Sequence, residues 1–164
     1  VAFTALADIL RPEGSPGAVL LVDAVDDPHN LGAVLRTAAA FAVDGVVIAG
    51  PSAPPLGGAV ARAAAGQLGQ VPLVRERVAA DALTELRAGG YWSFGADAAG
   101  TAVDRVTPVD RWVLCVGSEE QGLRAKTRSK GDEPVSIPMA EGVESLNLSV
   151  ATGILLWELT RRFD

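Results

Sequence analysis

Histidine, cysteine, methionine and tyrosine each occur once in these 164 residues, and those scarcities close off several chemistries. With Cys115 alone, no disulfide can form within the chain, and zinc sites of four cysteines, or of two cysteines and two histidines, are excluded. His29 as the sole histidine rules out an HExxH metal helix, so no metal site is expected. A generally basic surface is also missing. Fourteen Lys and Arg against 20 Asp and Glu leave a net charge of −6, so any contact with a nucleic-acid backbone must be local. No apolar run approaches the roughly 20 residues of a membrane-spanning helix, and the N-terminus has no signal-peptide pattern. A reducing cytoplasm is the expected compartment. The chain opens at Val1 rather than Met, and Val1 to Leu10 reads as the middle of a longer protein.

What is present is a globular composition, 49% apolar and 21% charged, enough for one domain spanning residues 1–164 with its own core. Short runs rich in Val, Ile and Leu alternate with Ala-rich helical stretches and lack the strict alternation of a half-exposed sheet. Strands are predicted at Val19–Asp23, Gly45–Ala49, Val71–Val74, Tyr91–Gly95, Arg111–Val116 and Val135–Ile137. Helices are predicted at Leu31–Ala42, Gly58–Leu68, Ala80–Ala88, Gln121–Lys130 and from about Leu146 to Arg162. The expected class is α/β, a parallel sheet of about six strands with helices on both faces.

The common nucleotide and nucleophile signatures are absent. The first strand runs into Asp23-Ala24-Val25-Asp26-Asp27-Pro28-His29-Asn30 rather than GxGxxG, and neither lysine, Lys126 or Lys130, sits in a P-loop. The neighbourhood of Ser118 has no GxSxG register, which leaves a serine hydrolase using Ser118 and His29 only as an alternative.

Three segments concentrate the unusual residues. Asn30-Leu31-Gly32-Ala33-Val34-Leu35-Arg36-Thr37-Ala38 puts Asn30 at a helix N-cap position and an arginine in an otherwise apolar helix. A solvent-facing Arg36 opposite Leu31, Leu35, Ala38 and Ala42 would be the structural explanation. Gly117-Ser118-Glu119-Glu120-Gln121-Gly122-Leu123 follows a strand and sets a carboxylate between glycines, where backbone amides can approach a ligand or simply turn the chain. Beyond it, Arg124, Lys126, Arg128 and Lys130 form the one dense basic run. Ile137-Pro138-Met139-Ala140-Glu141-Gly142-Val143-Glu144-Ser145-Leu146-Asn147-Leu148-Ser149-Val150-Ala151 breaks at Pro138 and enters an apolar helix through Ser145, Asn147 and Ser149, more polar groups than one cap requires.

In this order and spacing the three segments closely resemble motifs one, two and three of the SpoU (TrmH) branch of the SPOUT RNA ribose methyltransferases. The resemblance implies a C-terminal deep trefoil knot, a rare exception to unknotted connectivity. It also implies S-adenosylmethionine as methyl donor, RNA (ribosomal or transfer) as partner and substrate through a ribose 2′-OH, and a homodimer with active sites at the interface. Many relatives carry an N-terminal RNA-binding domain, expected to be absent from this chain. Residue by residue, the resemblance assigns Asn30, Arg36, Glu119, Ser145 and Asn147 to catalysis and Gly117, Ile137, Met139, Leu146 and Leu148 to the donor pocket. Arg62 matches a basic phosphate or substrate position, and Arg124 in the basic run is the second expected RNA ligand. Ala64 replaces a frequent Ser and Ala42 a usual Gly. A guanidinium is too weak a base to take the hydroxyl proton, so Arg36 is expected to orient a phosphate and stabilise the developing alkoxide. Ser145 and Asn147 would then hold the hydroxyl or the arginine, and Glu119 would orient Arg36 or Asn30. A knotted binding module without catalysis is the other alternative.

Overall fold

Consecutive Val, Leu and Ile leave a strand no polar face, so each must be covered on both sides. In the computed structural model, which describes residues 2–161, six strands, of which those at 17–23, 45–49 and 111–117 are buried along nearly their whole length, form one parallel sheet ordered β3-β2-β1-β5-β4-β6. They are β1 (Gly17–Asp23), β2 (Gly45–Ala49), β3 (Leu73–Glu76), β4 (Trp92–Ala102), β5 (Arg111–Gly117) and β6 (Glu133–Ser136). Side chains alternate between the faces. Leu20 and Val22 join a core with α1 (Pro28–Ala40), α2 (Gly58–Ala63) and α5 (Leu148–Arg161), whereas Val19 and Leu21 pack on α3 (Ala79–Ala88). The short α4 (Ala125–Lys130) lies beside α3.

Boundaries differ from expectation for local reasons. α1 starts three residues early because Pro28 suits a first helical position and Asp27 caps it, so Asn30 is not the cap. α1 also ends before Ala42, which adopts a left-handed φ of 53° at a cost of about 1 kcal/mol, accounting for the Gly usual there. α2 stops at Ala63 because Ala65 and Gly66 turn left-handed (φ 51° and 83°). Residues 121–124 are not helical, since Gly122 (φ 66°) forms an isolated bridge with Ser118. β3 begins after Pro72, which has no N–H to donate. β6 closes at Ser136, leaving Ile137 in the following loop, and α5 begins at Leu148; Arg162 lies outside the described residues.

Strand β4 continues well past Gly95, and Ala96 and Thr101 both pair with Val135, so residues 97–100 bulge out at the sheet edge. After β6 the chain crosses back to α5, which packs on α1 and β5. Two glycines permit the helix contacts that frame this return. A Cβ on Gly32 would lie 2.5 Å from the Val60 carbonyl of α2, and one on Gly153 of α5 would touch Thr37 at 3.5 Å.

Candidate active site

Parallel strands gather their ligand-accessible loops at their carboxyl ends. Here the bulge of β4, the turn after β5 and the loop 137–147 enclose a cleft. Every residue assigned to the donor pocket lines it: Gly117, Ile137, Met139, Leu146 and Leu148. Glu119 and Ser145 line it too, and Val116, Val135 and Leu155 supply a buried apolar floor. Internally, residues 138–146 make a single backbone hydrogen bond, from Val143 N to the Ala140 carbonyl at 3.2 Å, which leaves the backbone of Met139 and Leu146 free to bind a ligand.

The turn after β5 is tight because of its glycines. A Cβ on Gly117 would come within 2.1 Å of the Gly122 carbonyl oxygen, so no side chain fits. Gly122 N donates to the Ser118 carbonyl at 2.8 Å, and Gln121 N donates to Ser118 Oγ at 3.1 Å. This aims Glu119 at the start of α5, where its Oε1 accepts from Asn147 Nδ2 and from Leu148 N, each at 3.0 Å. Asn147 Oδ1 in turn accepts from Ser149 N at 3.0 Å and Ser149 Oγ at 2.7 Å. The expected partner of Glu119 was Arg36 or Asn30; its hydrogen bonds go instead to a helix N-terminus, whose unpaired amides and positive dipole end favour a carboxylate. Ser145 is exposed and makes no hydrogen bond among the described residues.

At the other motif, Asp27 Oδ1 accepts from His29 N at 2.8 Å and Asn30 N at 3.0 Å. The Asn30 side chain is therefore left free of capping. Arg36 is exposed on α1 and Arg62 on α2, and neither guanidinium has a hydrogen bond or ion pair among the described residues. None of Asn30, Arg36 and Arg62 lines the cleft of its own chain. Arg124 is not on the cleft wall either; its Nε pairs with Asp23 Oδ1 at 3.5 Å.

Sequence reasoning missed Asp97 and Glu144, two carboxylates on the cleft wall. Asp97 sits in the β4 bulge between Gly95 and Gly100, and the small-residue run Ala96–Gly100 was its only signal. It missed Asp23 as well, a buried acid ending an apolar strand. The hydrolase alternative gains no geometry, since Ser118 Oγ accepts a turn amide and has no hydrogen bond with His29. Cys115 is fully buried on β5, and burial first, then Asp23 and Asp132, push its thiol from 9.0 up to about 12. Native alkylation at pH 8 will therefore leave Cys115 unmodified. Because the unfolded thiol ionises first, Cys115 makes folding stability fall as pH rises from 9.0 towards about 12, a slope that a urea-midpoint series should lose in Cys115→Ala. Among the described residues no cluster of His, Cys, Asp or Glu could hold a metal, and no helix is long and apolar enough to cross a membrane.

The sheet and cleft define an α/β protein with an open cleft at the carboxyl ends of parallel strands. The profile of the SpoU rRNA Methylase family matches residues 17–157, and the chain belongs to that family. It is 41% identical over 162 residues to the 23S rRNA (guanosine-2'-O-)-methyltransferase RlmB of Nitrosomonas europaea, covering 98% of this chain and 62% of that protein. Among solved structures, the SpoU methyltransferase AviRb from Streptomyces viridochromogenes in complex with AdoMet superposes with a TM-score of 0.87 at 29% identity, over 99% of this chain and 62% of the other. The AdoMet-bound rRNA methyltransferase from Sinorhizobium meliloti gives a TM-score of 0.88 at 31% identity, over 98% and 61%. The chain thus spans about three fifths of the length of these relatives.

Proposed function

We propose that this chain is the catalytic domain of an S-adenosylmethionine-dependent methyltransferase acting on a ribose 2′-OH of ribosomal or transfer RNA in the cytoplasm. One observation carries the reading: the residues matching the family's donor pocket converge on one cleft at the strand ends, with Glu119 and Ser145 at its edge. The cleft suits the donor chemically. Aliphatic walls accept a nucleoside, the unpaired backbone of Met139 and Leu146 can bond its ring and ribose, and the carboxylates of Asp97 and Glu144 favour a cation. Bound there, S-adenosylmethionine would supply a methyl group on a sulfonium, ready for in-line displacement.

The chain's own residues then have positioning work. Arg36 orients a phosphate beside the reacting nucleotide and stabilises the alkoxide, as a guanidinium can without titrating. Asn30 and Ser145, whose side chains make no hydrogen bond among the described residues, hold the ribose hydroxyl and its neighbours. Glu119 and Asn147 act one step back by fixing the start of α5, which forms part of the cleft wall. Arg62 and Arg124 contact the RNA backbone. The return of the chain from β6 to α5 forms the knot.

A homodimer completes the site. Val150, Ile154 and Trp157 lie one helical turn apart along α5, with exposures of 50, 39 and 58%. The ring of Trp157 also meets Phe41 at 6.3 Å, joining the stripe to the end of α1. An apolar stripe of this kind fits a second copy of the chain. Because Asn30 and Arg36 lie on α1 outside the cleft of their own subunit, this interface would bring them to a cleft. The test is transfer of a radiolabelled methyl group from S-adenosylmethionine to an in vitro transcript of large-subunit ribosomal RNA or to unmodified transfer RNA. The expected product resists alkaline cleavage at one phosphodiester, as 2′-O-methylation requires. Label in a base, or none in either RNA, would contradict the reading.

A further inference from the structure

A half-exposed arginine held by a fully buried acid lies next to the cleft. Asp23, the last residue of β1, is 1% exposed. Its Oδ2 accepts from Thr127 Oγ1 at 2.8 Å and from Arg124 N at 3.2 Å, and these two bonds already tie the start of α4 to the sheet. The Arg124 guanidinium adds an ion pair from Nε to Oδ1 at 3.5 Å, yet the side chain stays 47% exposed. Its terminal amino groups make no hydrogen bond among the described residues. One of them lies over Gly50 at the end of β2, where a Cβ would be 2.8 Å from Nη2 and the backbone adopts φ 108°. Two strand ends are thus shaped around a half-exposed guanidinium.

The location gives this arrangement its use. In the register of β1 with β5, Asp23 stands opposite Gly117 of the cleft, one strand spacing of about 4.8 Å away. The other neighbour of Asp23 is Ala49, and Ala24 begins the loop that leads to Asn30. Arg124 therefore stands within a strand spacing or two of the cleft, within reach of an RNA backbone whose ribose enters it. We propose that Asp23 is a positioning residue that fixes Arg124 as a ligand for an RNA phosphodiester flanking the reacting nucleotide, a role that rests on the methyltransferase reading and deepens it. An arginine already held in place loses less conformational entropy when it takes a phosphate, and its planar fork matches two phosphate oxygens. Such a contact sets the register of the RNA rather than its sequence. Arg124 is not on the cleft wall, and the S-adenosylhomocysteine arm of the test separates a phosphate partner from the donor's own carboxylate.

The test is an anisotropy titration of the 164-residue chain with a labelled large-subunit ribosomal RNA transcript over a salt series, with S-adenosylhomocysteine affinity measured alongside. Arg124→Gln should weaken RNA binding about tenfold and flatten the slope of log affinity against log salt by about one. Its affinity for S-adenosylhomocysteine should not change. Asp23→Asn keeps the cation but frees it; the KM for RNA should rise with kcat retained, and in the Arg124→Gln background it should add no further loss of RNA affinity. Unchanged RNA affinity and slope in Arg124→Gln, a parallel fall in S-adenosylhomocysteine affinity, or additive losses from the two substitutions would each overturn the inference. Should Asp23→Asn fail to fold, Arg124→Gln, altered on an exposed side chain, decides alone. A parent chain that methylates RNA while Arg124→Gln behaves like it defeats only this inference. A parent that binds neither S-adenosylhomocysteine nor transcript defeats the methyltransferase reading as well.

Discussion

The starts of α1 and α5 both carry polar residues from the family motifs, but they use them differently. At α1, Asp27 accepts from the first amides, and the side chains of Asn30 and Arg36 have no partner among the described residues. At α5, Glu119, Asn147, Ser149 and the Leu148 amide are tied in one network, and Ser145 makes no hydrogen bond among the described residues. Polar groups already bonded within the chain hold architecture, because replacing those bonds with ligand bonds returns little free energy. Groups left open at a strand-end surface are the ones a ligand can recruit. On the proposed function, the polar side chains of the motifs divide into a binding half at α1 and a supporting half at α5.

The largest effect should come from breaking the binding half. Arg36→Ala is expected to lower kcat for methyl transfer by about 100-fold or more while leaving melting temperature and S-adenosylhomocysteine affinity in place. A tight-binding variant without turnover would show that recognition and chemistry separate at α1. Asn147→Ala attacks the supporting half, and urea denaturation should register a loss of about 1–2 kcal/mol from the cap, with transfer falling as the cleft wall loosens. Asp27→Ala should cost about 1 kcal/mol by the same measurement but retain transfer at temperatures where the protein is folded. Equal activity losses in the two cap variants would erase the contrast between the helix starts. Glu119→Gln keeps an oxygen acceptor for Asn147 Nδ2 and Leu148 N and removes only the charge at the helix dipole, a change of about 0.5 kcal/mol. A collapse of transfer in that variant, with the urea midpoint unchanged, would move Glu119 from support to chemistry.

Much of this was legible in the residues. Apolar runs bounded by Gly, Pro and Asp mark the strands, most plainly the buried β1, β2 and β5, and their existence and order along the chain need no tertiary information. The donor-pocket assignment came from the resemblance to the SpoU motifs, and the five residues it names line one cleft at the strand ends. What escaped was decided by contacts distant in sequence. Asp23 gains its role only when Thr127 and Arg124 fold over it, more than 100 residues later. Glu119 was expected to meet Arg36 or Asn30 of motif one; its partners at the start of α5 follow only once α5 returns beside β5. The start of α1 was misread for a local reason. Asn30 and Asp27 are both good caps, and Pro28 decides in favour of Asp27 by occupying the first helical position.

The central claim is that the cleft between β5, the β4 bulge and the loop 137–147 holds the methyl donor. Calorimetric titration with S-adenosylhomocysteine tests it most directly, run on a dimer verified by sedimentation. Saturable binding near one ligand per subunit, lost when Leu146 at the cleft wall is replaced by Asp, is the predicted result. A folded dimer that binds no S-adenosylhomocysteine, or binds it equally well with the aspartate in place, would contradict the account.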